Sequence, residues 1–331
     1  MDYSDLTKKL VEGNTRAAAR LITLVENDIN AAEKIINSIF KNTGKAYILG
    51  ITGAPGSGKS TFISTLTRAL VKQGKKIGII CVDPTSPLSG GAILGDRIRM
   101  KEHFSLGNVF IRSMANRGQL GGLARATEDV IKILDAYGCD VIIVETVGVG
   151  QSEVDIFKSA HTVVVLLVPG LGDGIQAIKA GIMEITDLFV VNKMDFEGAD
   201  RKVAEIKQML ELNVNYKYES HKIEEKYAKV MKWTPDVIKV NSQTGENFNE
   251  LLDKISDHRE FLEKTGVITN YYKNRIKTET LQILKHKLTE KVEELINTNE
   301  QVDEYINQVI ERSLDPYSMA NLIIKLLGID K

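Results

Sequence analysis

Residues 53–60 read Gly53-Ala54-Pro55-Gly56-Ser57-Gly58-Lys59-Ser60, a complete G-x-x-x-x-G-K-[ST] loop, with Thr61 next. The loop follows an apolar run, Ala46-Tyr47-Ile48-Leu49-Gly50-Ile51, and precedes a helical pattern that starts near Thr61. Strand, glycine-rich turn and helix in that order are the setting in which this motif cradles a phosphate chain. Gly53, Gly56 and Gly58 let the backbone turn its N–H groups inward, and the helix start adds partial positive charge. Lys59 is placed to reach the outer phosphates, and the Ser60 hydroxyl to ligate Mg2+.

Outward from the loop, short apolar runs recur with helical stretches between them. They are 46–51, Ile77–Val82, Val109–Ile111, Val141–Val144, Val163–Val168, Phe189–Val191 and Val237–Val240. Runs this apolar on both faces predict buried strands covered by helices, hence a doubly wound, mainly parallel α/β sheet. The expected P-loop domain spans 45–264. Residues 1–44 carry apolar positions at helical spacing, among them Leu10, Leu21, Val25, Ile35 and Ile39, and predict an N-terminal helical extension. After about 265 the strands stop. Leu281, Leu284, Leu288, Val292 and Leu295 mark one face of a long helix, and Val302, Ile306, Val309 and Ile310 mark another. Such stripes need a covering surface, either this chain's own domain or a second copy.

Composition narrows the classes of partner. The chain has 331 residues, 43% hydrophobic and 26% charged, which is ordinary for a globular protein. A formal net charge of −1 gives no bulk attraction to nucleic acid or to a membrane surface. Cys81 and Cys139 stand in or beside apolar runs and read as packing thiols in a reducing compartment. The stretch Met1-Asp2-Tyr3-Ser4-Asp5 lacks the basic and apolar regions of a signal peptide. No apolar run reaches the roughly 18 residues needed to span a bilayer. The expectation is a cytoplasmic protein with neither nucleic acid nor membrane as partner.

A nucleotide triphosphatase also needs metal ligands, a base reader and a sensor of the terminal phosphate. The fourth run ends Glu145-Thr146-Val147-Gly148, which puts a carboxylate at a strand end and offers the Gly148 N–H to a γ-phosphate. The second run leads into Asp83-Pro84-Thr85-Ser86, and Gly95-Asp96-Arg97 follows. Asp83 and Asp96 are candidates to hold Mg2+ or its waters, together with Ser60 and Glu145. The sixth run ends Asn192-Lys193-Met194-Asp195, the N-K-x-D element. A carboxylate at Asp195 accepts from guanine N1–H and the 2-amino group together. Adenine lacks that donor pair, so guanine is the expected base. The stretch Asn241-Ser242-Gln243-Thr244-Gly245 follows the last run and offers backbone N–H groups, those of Ser242, Gln243 and Thr244 among them, to the guanine O6.

The hydrolytic group is less direct. Val149, not Gln, follows Gly148, and Gln151 comes later. The glycine-rich stretch 169–181 carries Gln176 and Lys179 as candidates to approach the γ-phosphate, with a solvated helix lysine as the other reading of Lys179. The five histidines form no metal-ligand spacing. Arg112, Arg117 and Arg125 flank a glycine-rich turn and face either an anionic partner or solvent.

With these residues in place, the chain resembles the MeaB/ArgK/MMAA-type P-loop GTPases, which serve adenosylcobalamin-dependent acyl-CoA mutases such as methylmalonyl-CoA mutase. The marks are the loop at 53–61, Asp83-Pro84-Thr85-Ser86, Gly95-Asp96-Arg97-Ile98-Arg99-Met100, Glu145 to Glu153, the 169–181 stretch and Asp315-Pro316-Tyr317. The resemblance implies GTP and GDP as bound nucleotides, with Mg2+ at Ser60, Asp83, Asp96 and Glu145. It implies that Lys179 aids hydrolysis beside Gln176, that 265–331 is a homodimerisation arm, and that GTP gates cobalamin delivery to the mutase and its protection. Slow intrinsic hydrolysis is expected. Ser242-Gln243-Thr244 departs from the family's usual Ser-Ala-Leu, at positions where backbone groups do the work. Three other readings compete. A nickel-insertion-type maturation GTPase normally carries a Cys/His cluster, which this sequence lacks. A kinase or ATPase linked to basic amino-acid transport is opposed by the N-K-x-D element. A nucleotide-dependent scaffold would bind GTP and rarely hydrolyse it.

Overall fold

All seven apolar runs are strands: β1 (Tyr47–Gly53), β2 (Ile77–Asp83), β3 (Val109–Ala115), β4 (Val141–Thr146), β5 (Thr162–Leu167), β6 (Leu188–Asn192) and β7 (Asp236–Val240). The structure is a computed structural model and describes residues 2–83, 107–115, 122–146, 160–170, 185–213 and 233–328. The strands form one sheet in the order β3-β2-β4-β1-β5-β6-β7. All six neighbouring pairs are parallel. The described helices are α1 (Ser4–Val11), α2 (Thr15–Asn27), α3 (Ile29–Ile39), α4 (Lys59–Lys72), α5 (Gly122–Ala136), α6 (Ala199–Asn213), α7 (Phe248–Thr265), α8 (Val267–Thr298), α9 (Glu300–Ile310) and α10 (Pro316–Leu326). The chain divides into two compact units, Met1–Tyr272 and Lys273–Lys331.

Strand alternation decides which helix covers which face. Ile48, Ile80, Val82, Ile142 and Val144 pack with α1–α3 and α5. Leu49, Ile51, Ile79, Ile143, Val190 and Val240 point the other way, against Phe62, Ile63 and Leu66 of α4 and Phe248, Leu251 and Ile255 of α7. Val165, Leu167, Phe189 and Val191 meet α6. Both faces are covered, which is why the strands read as unbroken apolar runs. The first 44 residues therefore share the sheet's own core. Leu21, Ile22 and Val25 of α2 are fully buried there, each worth about 1.5–3 kcal/mol of transfer free energy.

Two polar ties fix that N-terminal layer. The Asp135 carboxylate, at the end of α5, accepts from the backbone N–H groups of Gly44, Lys45 and Ala46 just before β1. Arg112 of β3 pairs with Glu26 of α2 and also reaches Thr23. Strand β3 runs past the apolar Val109–Ile111, because Arg112 to Ala115 stay paired with β2 to the residue Asp83. Arg125 likewise pairs within the chain, with Asp129 and the Val25 carbonyl. Arg112 and Arg125 are thus spent on the fold. Among the described residues, no helix is long and apolar enough to cross a membrane.

Candidate functional site

The carboxyl ends of β1, β4, β6 and β7 lie along one edge of the sheet, where open α/β sheets hold ligands. The loop from β1 begins at Gly53, whose register partner on β5 is Leu166. A Cβ there would lie 2.4 Å from the Leu166 carbonyl oxygen, so only glycine lets β1 turn beside β5. Gly58 has φ +85°, and a Cβ on it would stand 2.6 Å from Asn192 Nδ2. Helix α4 starts at Lys59, two residues before the expected Thr61. Ser60 and Thr61 are therefore first-turn residues, whose N–H groups have no intrahelical acceptor and can serve an anion.

Lys59 is buried at 8% exposure. Its Nζ donates to the Gly53 carbonyl at 2.6 Å and the Ala54 carbonyl at 3.3 Å. The ammonium is thus folded over the loop it belongs to. Pro55 and Gly56 at the loop tip are exposed, while Ser57 is buried.

One amide joins the phosphate side to the base side. Asn192, 2% exposed at the end of β6, donates from Nδ2 to the Ser57 carbonyl at 2.8 Å. Its Oδ1 accepts from Ser242 N (3.1 Å) and Ser242 Oγ (2.7 Å). Thr65 of α4 donates its hydroxyl to the Ser242 carbonyl at 2.7 Å. Lys193 has φ +57°, and its Nζ lies 3.5 Å from the Gly56 carbonyl and 5.5 Å from the Phe196 ring centroid. Asp195 is exposed and accepts from Asn241 Nδ2 at 2.9 Å. Asn192, Lys193, Asp195, Ser242, Gln243 and Thr244 therefore converge beside loop 53–60.

The backbone donors of the last turn have partners already. Gln243 N and Thr244 N point to Asn241 Oδ1 at 2.9 and 3.3 Å. A base carbonyl arriving there shares these N–H groups, as three-centre bonds allow. Three supporting residues had no motif to announce them: Thr65, Phe196 and the side chain of Asn241. The signal available for Asn241 was its place directly before Ser242, following a strand end.

The metal-side residues are described in part. Glu145 is 1% exposed at the end of β4, between β1 and β2, and the Cys81 thiol lies 3.7 Å from its Oε2. Ser60 stands in the first turn of α4. A hydroxyl and a carboxylate at one strand edge make an all-oxygen donor set, which suits a hard cation such as Mg2+. The backbone of Asp83 closes β2 on the same edge, opposite Ala115. Asp96, Gly148, Gln176 and Lys179 lie outside the described residues.

Comparison with known proteins bears on the whole chain. The profile of the family described as "Methylmalonyl Co-A mutase-associated GTPase MeaB" matches residues 18–297. A Pyrococcus abyssi protein, provisionally named a GTPase, is 51% identical over 97% of this chain and 95% of its own length. GTPase ArgK of Escherichia coli is 32% identical over 92% of this chain and 88% of its own. The methylmalonic aciduria type A homolog of Mus musculus, a mitochondrial protein, is 31% identical over 96% of this chain and 77% of its own. Among solved structures, one titled as a LAO/AO transport system kinase superposes with a TM-score of 0.66 at 25% identity, covering 98% of this chain and 97% of that one.

Proposed function

The chain belongs to the family of methylmalonyl-CoA mutase-associated GTPases, and on that premise we propose that its GTP hydrolysis gates cobalamin loading and protection of an adenosylcobalamin-dependent acyl-CoA mutase. The observation that carries the nucleotide half is Asn192, whose one amide holds both the phosphate loop at Ser57 and the base turn at Ser242. A shift at the phosphates is thereby mechanically joined to the base site. The name of the mouse relative and the description of the family support the mutase half.

In this reading loop 53–61 wraps the phosphates, and Lys59 leaves the Gly53 carbonyl to meet them. Ser60 and Glu145, with Asp83 and Asp96, would hold Mg2+, which would supply positive charge to the phosphate chain. Gly148 senses the γ-phosphate, and Lys179 and Gln176 assist hydrolysis. Asp195 reads guanine, which sets this chain apart from a kinase or ATPase of amino-acid transport. With no Gln directly after Gly148, intrinsic turnover is slow and a partner accelerates it. Residues 265–331 form a homodimerisation arm. Its support is the stripe Leu281, Leu284 and Leu288 on α8, 53%, 50% and 44% exposed at alternating three- and four-residue spacing.

GTP turnover measured alone and with a cobalamin-dependent acyl-CoA mutase tests the proposal. A slow basal rate that rises with the mutase is expected; a fast basal rate indifferent to the mutase refutes it.

A further inference from the structure

We infer that Tyr47, Thr162 and His258 form a proton-operated latch at the foot of the sheet: with His258 neutral, one hydrogen-bond chain ties β1 and β5 to the second half of α7, and a proton taken up by His258 undoes it. The latch lies at the amino ends of the strands, away from the nucleotide edge, and is independent of the function proposed above.

Three side chains meet there with almost no solvent around them. Tyr47 opens β1, Thr162 opens β5 and His258 lies in α7, at 5%, 0% and 2% exposure. The Thr162 hydroxyl is shared. It bonds the Tyr47 hydroxyl on one side and His258 Nδ1, at 2.7 Å, on the other. The imidazole turns its second nitrogen, Nε2, to Asp187 Oδ1 at 3.6 Å. That carboxylate selects the tautomer with its proton on Nε2, which leaves the Nδ1 lone pair facing Thr162. The chain then has one direction: Tyr47 donates to Thr162, and Thr162 donates to His258 Nδ1. Burial pushes the Tyr47 phenol well above its ordinary value, so it stays a donor.

A second proton on the ring, taken from solvent at Nδ1, reverses this order. Nδ1–H becomes a donor to Thr162 Oγ1, the Thr162 hydroxyl turns to Tyr47, and the Tyr47 proton loses its acceptor in the chain. Two neighbours favour the charged ring: the Asp187 carboxylate and the face of Trp233, whose centroid is 4.6 Å from that of His258. Neither closes a strong bond. A separation of 3.6 Å is beyond hydrogen-bond length, and Asp187 Oδ2 already accepts from Val163 N at 2.9 Å. The charges near Tyr47 on α7 offset each other: Arg259 lies 5.1 Å over the Tyr47 ring and is paired with Glu263. An imidazolium this deeply buried is therefore not compensated, and the proton enters only as the latch gives way. Beyond His258, α7 runs to Thr265 and turns through Gly266, at φ +68°, into α8, so the latch holds the stretch that leads to that helix.

Trp233 is the single tryptophan of the chain, and a charged imidazole quenches an indole in contact with it. The experiment follows Trp233 emission of the folded protein, and its urea midpoint, from about pH 8 to about pH 5.5, across the ordinary histidine range. His258→Asn keeps an acceptor near the Nδ1 position and takes up no proton. Thr162→Val keeps the shape of Thr162 and removes both of its bonds, with His258 still beside Trp233. The unfolded chain charges His258 freely while the latched fold resists. Stability is thus present at the upper end of the range and lost as pH falls, by up to about tenfold in the folding constant per pH unit.

Wild type is expected to lose emission and stability together, relative to His258→Asn, as pH falls. Thr162→Val should be less stable than wild type at the upper end and close on it in acid, because it has no chain left to reverse. Flat Trp233 emission in wild type, or a stability gap between wild type and His258→Asn that is the same at every pH, overturns the latch. A gap between wild type and Thr162→Val that does not change with pH makes Thr162 a plain structural tie and overturns the chain. Should Thr162→Val not fold, the comparison with His258→Asn decides the question.

Discussion

Asn192 Nδ2 donates to the carbonyl of Ser57 at 2.8 Å, across 135 residues of sequence. The bond holds the end of β6 against the phosphate loop. Asn192→Ala removes it together with both bonds from Ser242. Nucleotide affinity is expected to fall about 10–100-fold, for one to two buried hydrogen bonds and the groups left unpaired. Titration with a fluorescent GTP analogue checks this; unchanged affinity would mean that the two loops hold their places independently.

Lys59 spends its charge on the Gly53 and Ala54 carbonyls, a position that keeps the ammonium beside the phosphate cradle. Lys59→Ala should lower the rate of GTP hydrolysis by about 10²–10³, the usual cost of one donor to developing phosphate charge. Lys59→Arg should not restore it, since a planar guanidinium differs in shape from the compact ammonium that fits over two carbonyls. Single-turnover rates at saturating GTP measure both.

Asp135 gathers three consecutive N–H groups, from Gly44 to Ala46, that lead into β1. Asp135→Ala leaves them without that acceptor and is expected to cost about 2–4 kcal/mol of stability. The denaturation midpoint should fall while the folded protein keeps its GTPase rate. An unmoved midpoint would show that solvent replaces the carboxylate at no cost.

How far sequence reaches is clear at these residues. All seven strands were legible because each is covered on both faces and reads as an apolar run, from Tyr47 to Val240. Strand β3 was read too short because Arg112 and Ser113 interrupt its apolar pattern without interrupting its ladder. The loop at 53–60 and Asn192 to Asp195 were legible because their chemistry restricts residue type. Thr65 and the side-chain bonds of Asn241 were not, since their roles depend on which strand ends become neighbours. Asp135 and Glu26 were illegible for the same reason: a carboxylate on a helix looks solvated until the fold brings its partner.

Burial pushes the Cys139 thiol up to about 12 from 9.0, with Lys76 opposing weakly. The unfolded chain loses that proton near pH 9.0, and the folded chain keeps it to about 12. Between those values the folded state binds more protons, so this contribution to stability is complete below pH 9.0 and is lost as pH rises. Native protein at pH 8 should leave Cys139 unreacted with a disulfide reagent until denaturant is added. Rapid labelling of Cys139 in the native state would contradict its burial.

Leu284 lies at the middle of the exposed stripe on α8. If this stripe is the seam between two copies, Leu284→Glu buries a charge there and gives a monomer. Sedimentation of wild type and variant at equal concentration decides it; two identical profiles would contradict this stripe as a seam between copies.

In the proposed function the nucleotide held by Lys59, Asn192 and Asp195 governs cofactor loading of a mutase. The most direct measurement is adenosylcobalamin uptake by an apo acyl-CoA mutase in the presence of this protein, loaded with GDP or with a non-hydrolysable GTP analogue. Uptake rates should differ between the two nucleotides, a difference that Lys59→Ala abolishes. Equal uptake with either nucleotide, and with no protein added, would contradict it.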